Sequence, residues 1–319
     1  MQNWLKLAAL ALQISIIAQV FATGLGTTWW DAMYLFRRPR LLWKSILARN
    51  VAVPVIAILL IKAFSFHLAI AITLGVLAVT PVPPLLPKSQ LQSGGRSEYV
   101  LGLLVSQALL AIILVPVTIE LMDWALGAQA HFSASEVAQL VAKTILLPLA
   151  AGMLAVRFLP KLKHLAPHLL TAGSVLLIAG ALPLLAVAWK TLGTLAGDGA
   201  MLALALFMIA GTAAGHFLGG PEAEDRTVLA IATSSRHPGL ALAIAKANFP
   251  EQITLVAGAV VIYLILRLIL VIPYTRWRRH AAQAYHPLTA GTQIGARGRG
   301  DKKNRLEWQS RPWWRGKAS

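Results

Sequence analysis

Thr80-Pro81-Val82-Pro83-Pro84-Leu85-Leu86-Pro87 puts four prolines into seven residues at the end of a long apolar run. Each proline lacks the N–H that a helix interior needs, and its ring clashes with the preceding turn, so a helix arriving at Thr80 breaks there. A second apolar run is interrupted by Thr233-Ser234-Ser235-Arg236-His237-Pro238-Gly239. Non-helical backbone at membrane depth is tolerated only where protein buries it or where it lines a wet cavity. The two interruptions therefore mark the part of the chain where function is expected.

Around them lie apolar runs of about 20 residues, the length with which a helix crosses about 30 Å of hydrocarbon. They lack the period-two alternation of a barrel wall. With 57% hydrophobic and only 13% charged residues over 319, the chain is predicted to be an all-α polytopic membrane protein rather than a pair of soluble domains. Nine transmembrane helices are predicted, near 4–25, 41–62, 66–88, 97–122, 135–157, 167–189, 197–219, 226–248 and 251–275. The broken ones are the third and the eighth. An offset of five makes corresponding segments cross in opposite directions, as in an inverted-topology repeat, and paired broken helices point to a transport site near the midplane. The organisation expected is a transporter domain over 1–275, with repeats at 1–122 and 135–275, and a basic, disordered tail over 276–319.

Orientation follows from the loops. Arg37, Arg38, Arg40 and Lys44 follow the first span, Lys88 and Arg96 the third, and Arg157, Lys161 and Lys163 the fifth, while the stretch 123–134 has no Lys or Arg. The positive-inside rule then puts the N-terminus outside and the C-terminus in the cytoplasm. The net charge of +17 is concentrated in loops and tail, where it suits anionic lipid heads. No folded basic module accompanies it, which argues against nucleic acid as a partner. Trp29, Trp30, Trp124 and Trp189 stand near span ends, as interfacial anchors do. The run Leu5–Leu25 is too long for a signal-peptide core. Having no cysteine, the chain cannot build a disulfide, a zinc–thiolate site or a cysteine nucleophile.

Arg49, Lys143, Arg236 and Arg267 fall inside predicted spans, whereas Asp31, Glu98, Glu120, Asp123, Glu136 and Asp198 fall at or near span ends. An unpaired arginine in hydrocarbon costs about 3 kcal/mol or more, so it faces a wet cavity or finds an anion. Arg236, in the middle of its span, and Arg49 are expected to flank a small anionic substrate. Thr233, Ser234 and Ser235 would supply hydroxyls or carbonyls, and Pro81, Pro83 and Pro84 the facing break. Free N–H groups at half-helix N-termini would add to the attraction. His237, and less so His216, could carry a coupling proton. Arg267 and Lys143 are expected to reach the headgroups. No cofactor is implied beyond a coupling Na+ or H+, and the oligomeric state is open. Ser234 and Ser235 beside His237 do not make a hydrolase, because Gly-x-Ser-x-Gly and an acidic orienter are both missing. The reading is a transporter rather than an enzyme, with a channel as an alternative.

The stretch Ala232-Thr-Ser-Ser-Arg-His-Pro-Gly-Leu-Ala-Leu-Ala-Ile-Ala-Lys-Ala-Asn-Phe-Pro250 resembles the second crossover helix of the bile acid:sodium symporter family. Phe36-Arg-Arg-Pro-Arg40 before the helix with Pro54, and Leu147-Pro148 with Gly152-Met153, resemble the family's first cytoplasmic loop and the start of its second half. The resemblance spans residues 1 to about 275. It implies mobile and panel bundles, two crossing broken helices, a first repeat short of one helix, a bacterial inner membrane, and secondary active transport of a small organic anion by alternating access. At the positions where sodium-coupled members carry a Glu and a Gln in the second crossover, this chain has Ala232 and Arg236. Arg49 stands where a further Gln is expected, and Leu86-Pro87 where a Ser-Asn pair is. Sodium coupling is thereby in doubt, although Thr80, Thr118 or Thr144 could place oxygens around an ion, and the sodium-coupled default stays open.

Overall fold

The structure is a computed structural model that describes residues 2–81, 83, 86–126, 134–197 and 199–293. Among these, regular structure is entirely helical. The helices are α1 (Gln2–Gly26), α2 (Trp29–Met33), α3 (Pro39–Ile46), α4 (Val53–Ala63), α5 (Leu68–Val79), α6 (Leu86–Gln92) and α7 (Ser97–Leu126). They continue with α8 (Ala134–Val141), α9 (Leu147–Phe158), α10 (Ala166–Gly197), α11 (Ala200–Leu218), α12 (Ala223–Ser234), α13 (Pro238–Asn248) and α14 (Ile253–Gln293).

Six spans in the described residues are long and apolar enough to cross a membrane: Pro39–Ala63, Ala138–Phe158, Pro160–Gly180, Ala200–Leu218, Ala223–Asn248 and Pro250–Ala281. In α7 the two apolar pieces Ser97–Ala111 and Ile113–Leu121 have that length only together, and they are bent by 65° to each other. Pro116 explains the site of the bend, since it leaves the carbonyl four residues earlier, that of Ile112, without its helical donor. Leu10–Gly26 and Leu68–Val79 are apolar but shorter. Exposed Leu, Ile, Val and Phe side chains are numerous on the outside of the bundle, Phe217 and Phe158 among them. In lipid this is no liability, because the tails are as apolar as the side chains.

Two π segments, Leu47–Ala52 and Ala142–Leu146, join α3 to α4 and α8 to α9, each followed closely by a proline, Pro54 and Pro148. A π-bulge shifts the bonding register to i→i+5. In that register the Arg49 carbonyl would look to Pro54, which has no N–H to give.

Small residues set the closest helix crossings, as expected where packing rather than hydrophobicity drives association. α1 packs against α9 and α10. A Cβ on Gly24 would lie 3.1 Å from the Gly152 Cα and clash with the Leu149 carbonyl. Ser15 Oγ donates to the Gly173 carbonyl at 2.7 Å, fastening α1 to α10. On α11, Gly215 faces α12 so closely that a Cβ would sit 2.6 Å from the Ala230 Cα, and at Gly219 one would sit 2.5 Å from the Arg226 Cα. Arg38, Arg40, Lys44 and Arg96 share one hollow with the turn Gly219–Glu222, so these basic residues and the α11–α12 turn lie at one end of the bundle. At that end Arg96 pairs with Glu224 at 3.2 Å and with Asp225 at 3.4 Å.

The last helix runs further than the hydropathy predicts. α14 continues to Gln293, so residues 276–293 of the expected irregular tail are helical. Tertiary contact accounts for the start of this extension, because Arg278 is buried, its Nε donating to Thr227 Oγ1 at 2.8 Å and its Nη2 to the Ala223 carbonyl at 2.6 Å. Asp198 and the segments 127–133 and 294–319 lie outside the described residues.

Candidate functional site

Both interruptions read from the prolines are breaks in the structure. α5 stops at Val79, with Thr80 extended at φ −64°, ψ 139°. α12 stops at Ser234, with Ser235 extended at φ −106°, ψ 118°, and α13 starts anew at Pro238. The breaks meet: the His237 N–H donates to Thr80 Oγ1 at 3.3 Å. Pro84 lies outside the described residues, while Pro81 is buried and Pro83 half-buried beside the crossing.

A helix that ends inside protein leaves its last carbonyls without donors. In a continuous helix the Ala232 carbonyl would take the Arg236 N–H; here that N–H donates instead to the Tyr263 hydroxyl at 2.6 Å. The Ser234 carbonyl would look to Pro238, which has no N–H, and it accepts from the Tyr263 hydroxyl at 3.3 Å. Two guanidinium groups meet the carbonyls of Ala78, Thr80 and Ala232. Arg49 donates through Nη1 to the Ala232 carbonyl and through Nη2 to the Thr80 carbonyl at 2.9 Å. Arg236 donates through Nη1 to Thr80 at 3.2 Å and, more weakly, to Ala78 at 3.4 Å. Its Nη2 donates at 3.3 Å to the Arg49 carbonyl, the one that Pro54 leaves idle. Both arginines are 1% exposed, and among the described residues neither has a carboxylate partner. The crossing thus carries two positive charges balanced by the carbonyl ends of helix dipoles, where a cation is favoured.

The hydroxyls expected at the substrate are turned back on their own helix. Thr233 Oγ1 donates to the Leu229 and Ala230 carbonyls at 3.0 and 2.9 Å, and Ser234 Oγ to Ala230 and Ile231 at 3.0 and 3.2 Å. Ser235 Oγ is buried with no partner among the described residues. His237 caps α13, its Nδ1 accepting from the Leu240 N–H at 3.2 Å, so a neutral ring carries its proton on Nε2. His216 Nδ1 meets the Tyr274 hydroxyl at 2.9 Å, away from the crossing.

Beside the crossing is a cavity of about 260 Å³. Arg236, His237 and Pro83 line it, from the set read from sequence, together with Gln19 of α1 and Arg267 of α14. Arg49, Thr233, Ser234, Ser235 and Pro81 do not. Arg267, expected to reach the headgroups, is half-buried and lies one turn past Tyr263 on α14. Lys143 is exposed, as a side chain reaching the interface would be. Sequence reasoning passed over Tyr263, whose one available signal was its i,i+4 spacing to an intramembrane arginine.

A family model described as Sodium Bile acid symporter family matches residues 13–192, more than half of the chain. The chain belongs to the sodium bile acid symporter family. Its members are membrane transporters, and this symporter-family chain is an integral membrane protein by the same match and by its apolar helices. No curated protein matches it. The matched stretch contains Arg49 and the first break, whereas Arg236, Tyr263 and Arg267 lie beyond it.

Proposed function

We propose that the chain is a secondary active transporter of a small organic anion, working by alternating access, in which Arg49 and Arg236 fill the place of a coupling sodium ion. One observation carries this reading: two fully buried guanidinium groups donate to the carbonyls of Ala78, Thr80 and Ala232 where two broken helices end against each other. Sodium is a hard cation that seeks a cage of oxygens. Arginine keeps its charge in every relevant condition and offers a rigid fork of donors, so it holds such carbonyls permanently where an ion would hold them only when bound.

In this reading nine spans cross the membrane, the two interrupted ones standing in inverted repeats at 1–122 and 135–275, with the N-terminus outside and the C-terminus in the cytoplasm of a bacterial inner membrane. The gathering of Arg38, Arg40, Lys44 and Arg96 at one end of the bundle supports that orientation. α1, α9 and α10, locked by Gly24, Gly152 and Ser15, form one body; α11 and α12, locked by Gly215 and Gly219, belong to the other. The cavity between α1, α10, α13 and α14 lies where a relative shift of the two bodies would open and close access. Arg236 serves both sides of the mechanism, holding the crossing through Nη1 and Nη2 and presenting positive charge to the cavity.

The test is uptake of radiolabelled organic anions into proteoliposomes in sodium, in potassium, and with an imposed proton gradient. Saturable flux that is the same in sodium and in potassium is expected. Flux that requires sodium overturns the assignment of the arginines and restores the sodium-coupled default, and flux that does not saturate points to a channel.

A further inference from the structure

The hollow at the basic end of the bundle measures about 780 Å³, and four cations, Arg38, Arg40, Lys44 and Arg96, line it against two carboxylates, Glu222 and Asp225. Two of the cations are already engaged. Arg96 is paired with Glu224 and Asp225, and Arg38 lies over the Tyr34 ring at 4.3 Å and donates to its hydroxyl. Arg40 and Lys44 have no hydrogen bond or ion pair among the described residues, and Glu222, the carboxylate left over, is exposed. The opposite wall is fixed. Arg226 Nε donates to the Gly220 carbonyl, and Gly220, at φ +91°, leaves open the place where a Cβ would come within 3.4 Å of the Lys44 ammonium. The positive-inside rule calls for cations at this end, but not for their convergence on one void.

We infer that this hollow binds the phosphate of an anionic phospholipid headgroup, held by Arg40 and Lys44. A guanidinium fork takes two phosphate oxygens at once and an ammonium adds a compact point charge, so the two free groups complement each other. Depth in the membrane favours a lipid over free phosphate as the source. Trp43 directly precedes Lys44, Trp30 carries the Arg37 guanidinium 4.4 Å above its ring, and Trp277 directly precedes Arg278, which bonds the first turn of α12. Each of these indoles is more than half exposed, as anchors at the level of the headgroups are. Basic pockets between helices at that level suit lipid phosphates. Arg40 and Lys44 stand on α3, which runs on into the π segment that carries Arg49. A headgroup held there steadies the base of the helix that brings Arg49 to the crossing.

The experiment titrates the full chain in a neutral maltoside detergent, by calorimetry, with dioctanoyl phosphatidylglycerol, with zwitterionic dioctanoyl phosphatidylcholine and with inorganic phosphate. Saturable binding of the phosphatidylglycerol is expected, with no measurable binding of the other two. Changing Arg40→Gln and Lys44→Gln together should weaken it at least about tenfold, since each basic residue at a membrane surface contributes about a fivefold attraction. Changing Arg157→Gln and Lys161→Gln together removes the same charge from the loop before α10, outside the hollow. That control should alter binding less than about twofold, because solvent and salt screen charges at a distance. Arg40 is exposed, so Arg40→Gln alone keeps the test open if the double variant folds poorly, and it should cost about fivefold. Equal affinity for the two lipids, an equal loss in both double variants, or undiminished affinity in Arg40→Gln each overturns the site. Saturation by inorganic phosphate alone overturns the assignment to lipid.

Discussion

Arg236 donates through Nη2 to the backbone carbonyl of Arg49 at 3.3 Å, while Arg49 donates through Nη1 to the carbonyl of Ala232, one turn before Arg236. Two like-charged side chains thus interlock by each bonding the other's stretch of backbone. The arrangement is possible because Pro54 and the break at Ser235 have left those carbonyls free. Charge repulsion between the two guanidinium groups is offset by partial negative charge at the ends of α5 and α12.

Arg49 bonds two carbonyls belonging to different helices, Ala232 and Thr80. Arg49→Ala should leave both orphaned and cost about 2–4 kcal/mol, seen as a marked fall in the melting temperature of the purified protein. Arg49→Lys should recover less than half of that loss, because an ammonium lacks the planar fork. A lysine variant as stable as wild type would remove the fork from the explanation.

Sodium should not stabilise the wild-type protein: melting curves in sodium and in potassium should coincide. Replacing Arg49 and Arg236 by Gln and Ala232 by Glu returns oxygen ligands to the crossing, and this triple variant should gain about 1–3 kcal/mol from saturating sodium, following ordinary binding linkage. A triple variant that folds and ignores sodium, or a wild type that responds to it, contradicts the role given to the arginines.

Tyr263→Phe removes one hydroxyl that serves both the Arg236 N–H and the Ser234 carbonyl. A loss of about 1–3 kcal/mol is expected from two unmet buried groups. Hydrogen exchange should show the effect confined to the second break, with faster exchange at residues 235–237 and unchanged protection in α1 and α10.

Gly215→Val should be far more damaging than a typical surface change, since any Cβ meets the backbone of Ala230 at 2.6 Å and the Leu229 carbonyl at 2.6 Å. Backbone cannot yield as a flexible side chain can, so α11 and α12 must separate. The expected loss exceeds about 3 kcal/mol and should appear as poor folded yield in detergent. Gly220→Ala, at a turn where φ is +91° and the nearest atom to an added Cβ is the far end of Lys44 at 3.4 Å, should cost only the backbone strain of about 1 kcal/mol.

Much of this was legible along the chain. Runs of apolar residues of bilayer length, interrupted at Pro81 and at Pro238, follow from local chemistry alone: a residue without an N–H cannot continue a helix wherever the rest of the protein lies. The same reasoning placed Arg49, Arg236 and Arg267 at membrane depth. It could not say where their side chains go. Arg49 and Ala232 are separated by 183 residues, and Arg236 and Thr80 by 156, and no local periodicity encodes which carbonyl a guanidinium will find. The expectation that hydroxyls of Thr233 and Ser234 face a substrate met the usual competition from carbonyls three and four residues back on the same helix. The early end assigned to the last helix reflects polar composition, which packing of Arg278 against α12 overrides. Sequence by itself determined that the chain crosses a membrane and where two of its helices break, because those are properties of single residues and short runs. Only the tertiary structure decided that the breaks touch, that two arginines cap them and that a third turns into a cavity, because those depend on which helices pack together.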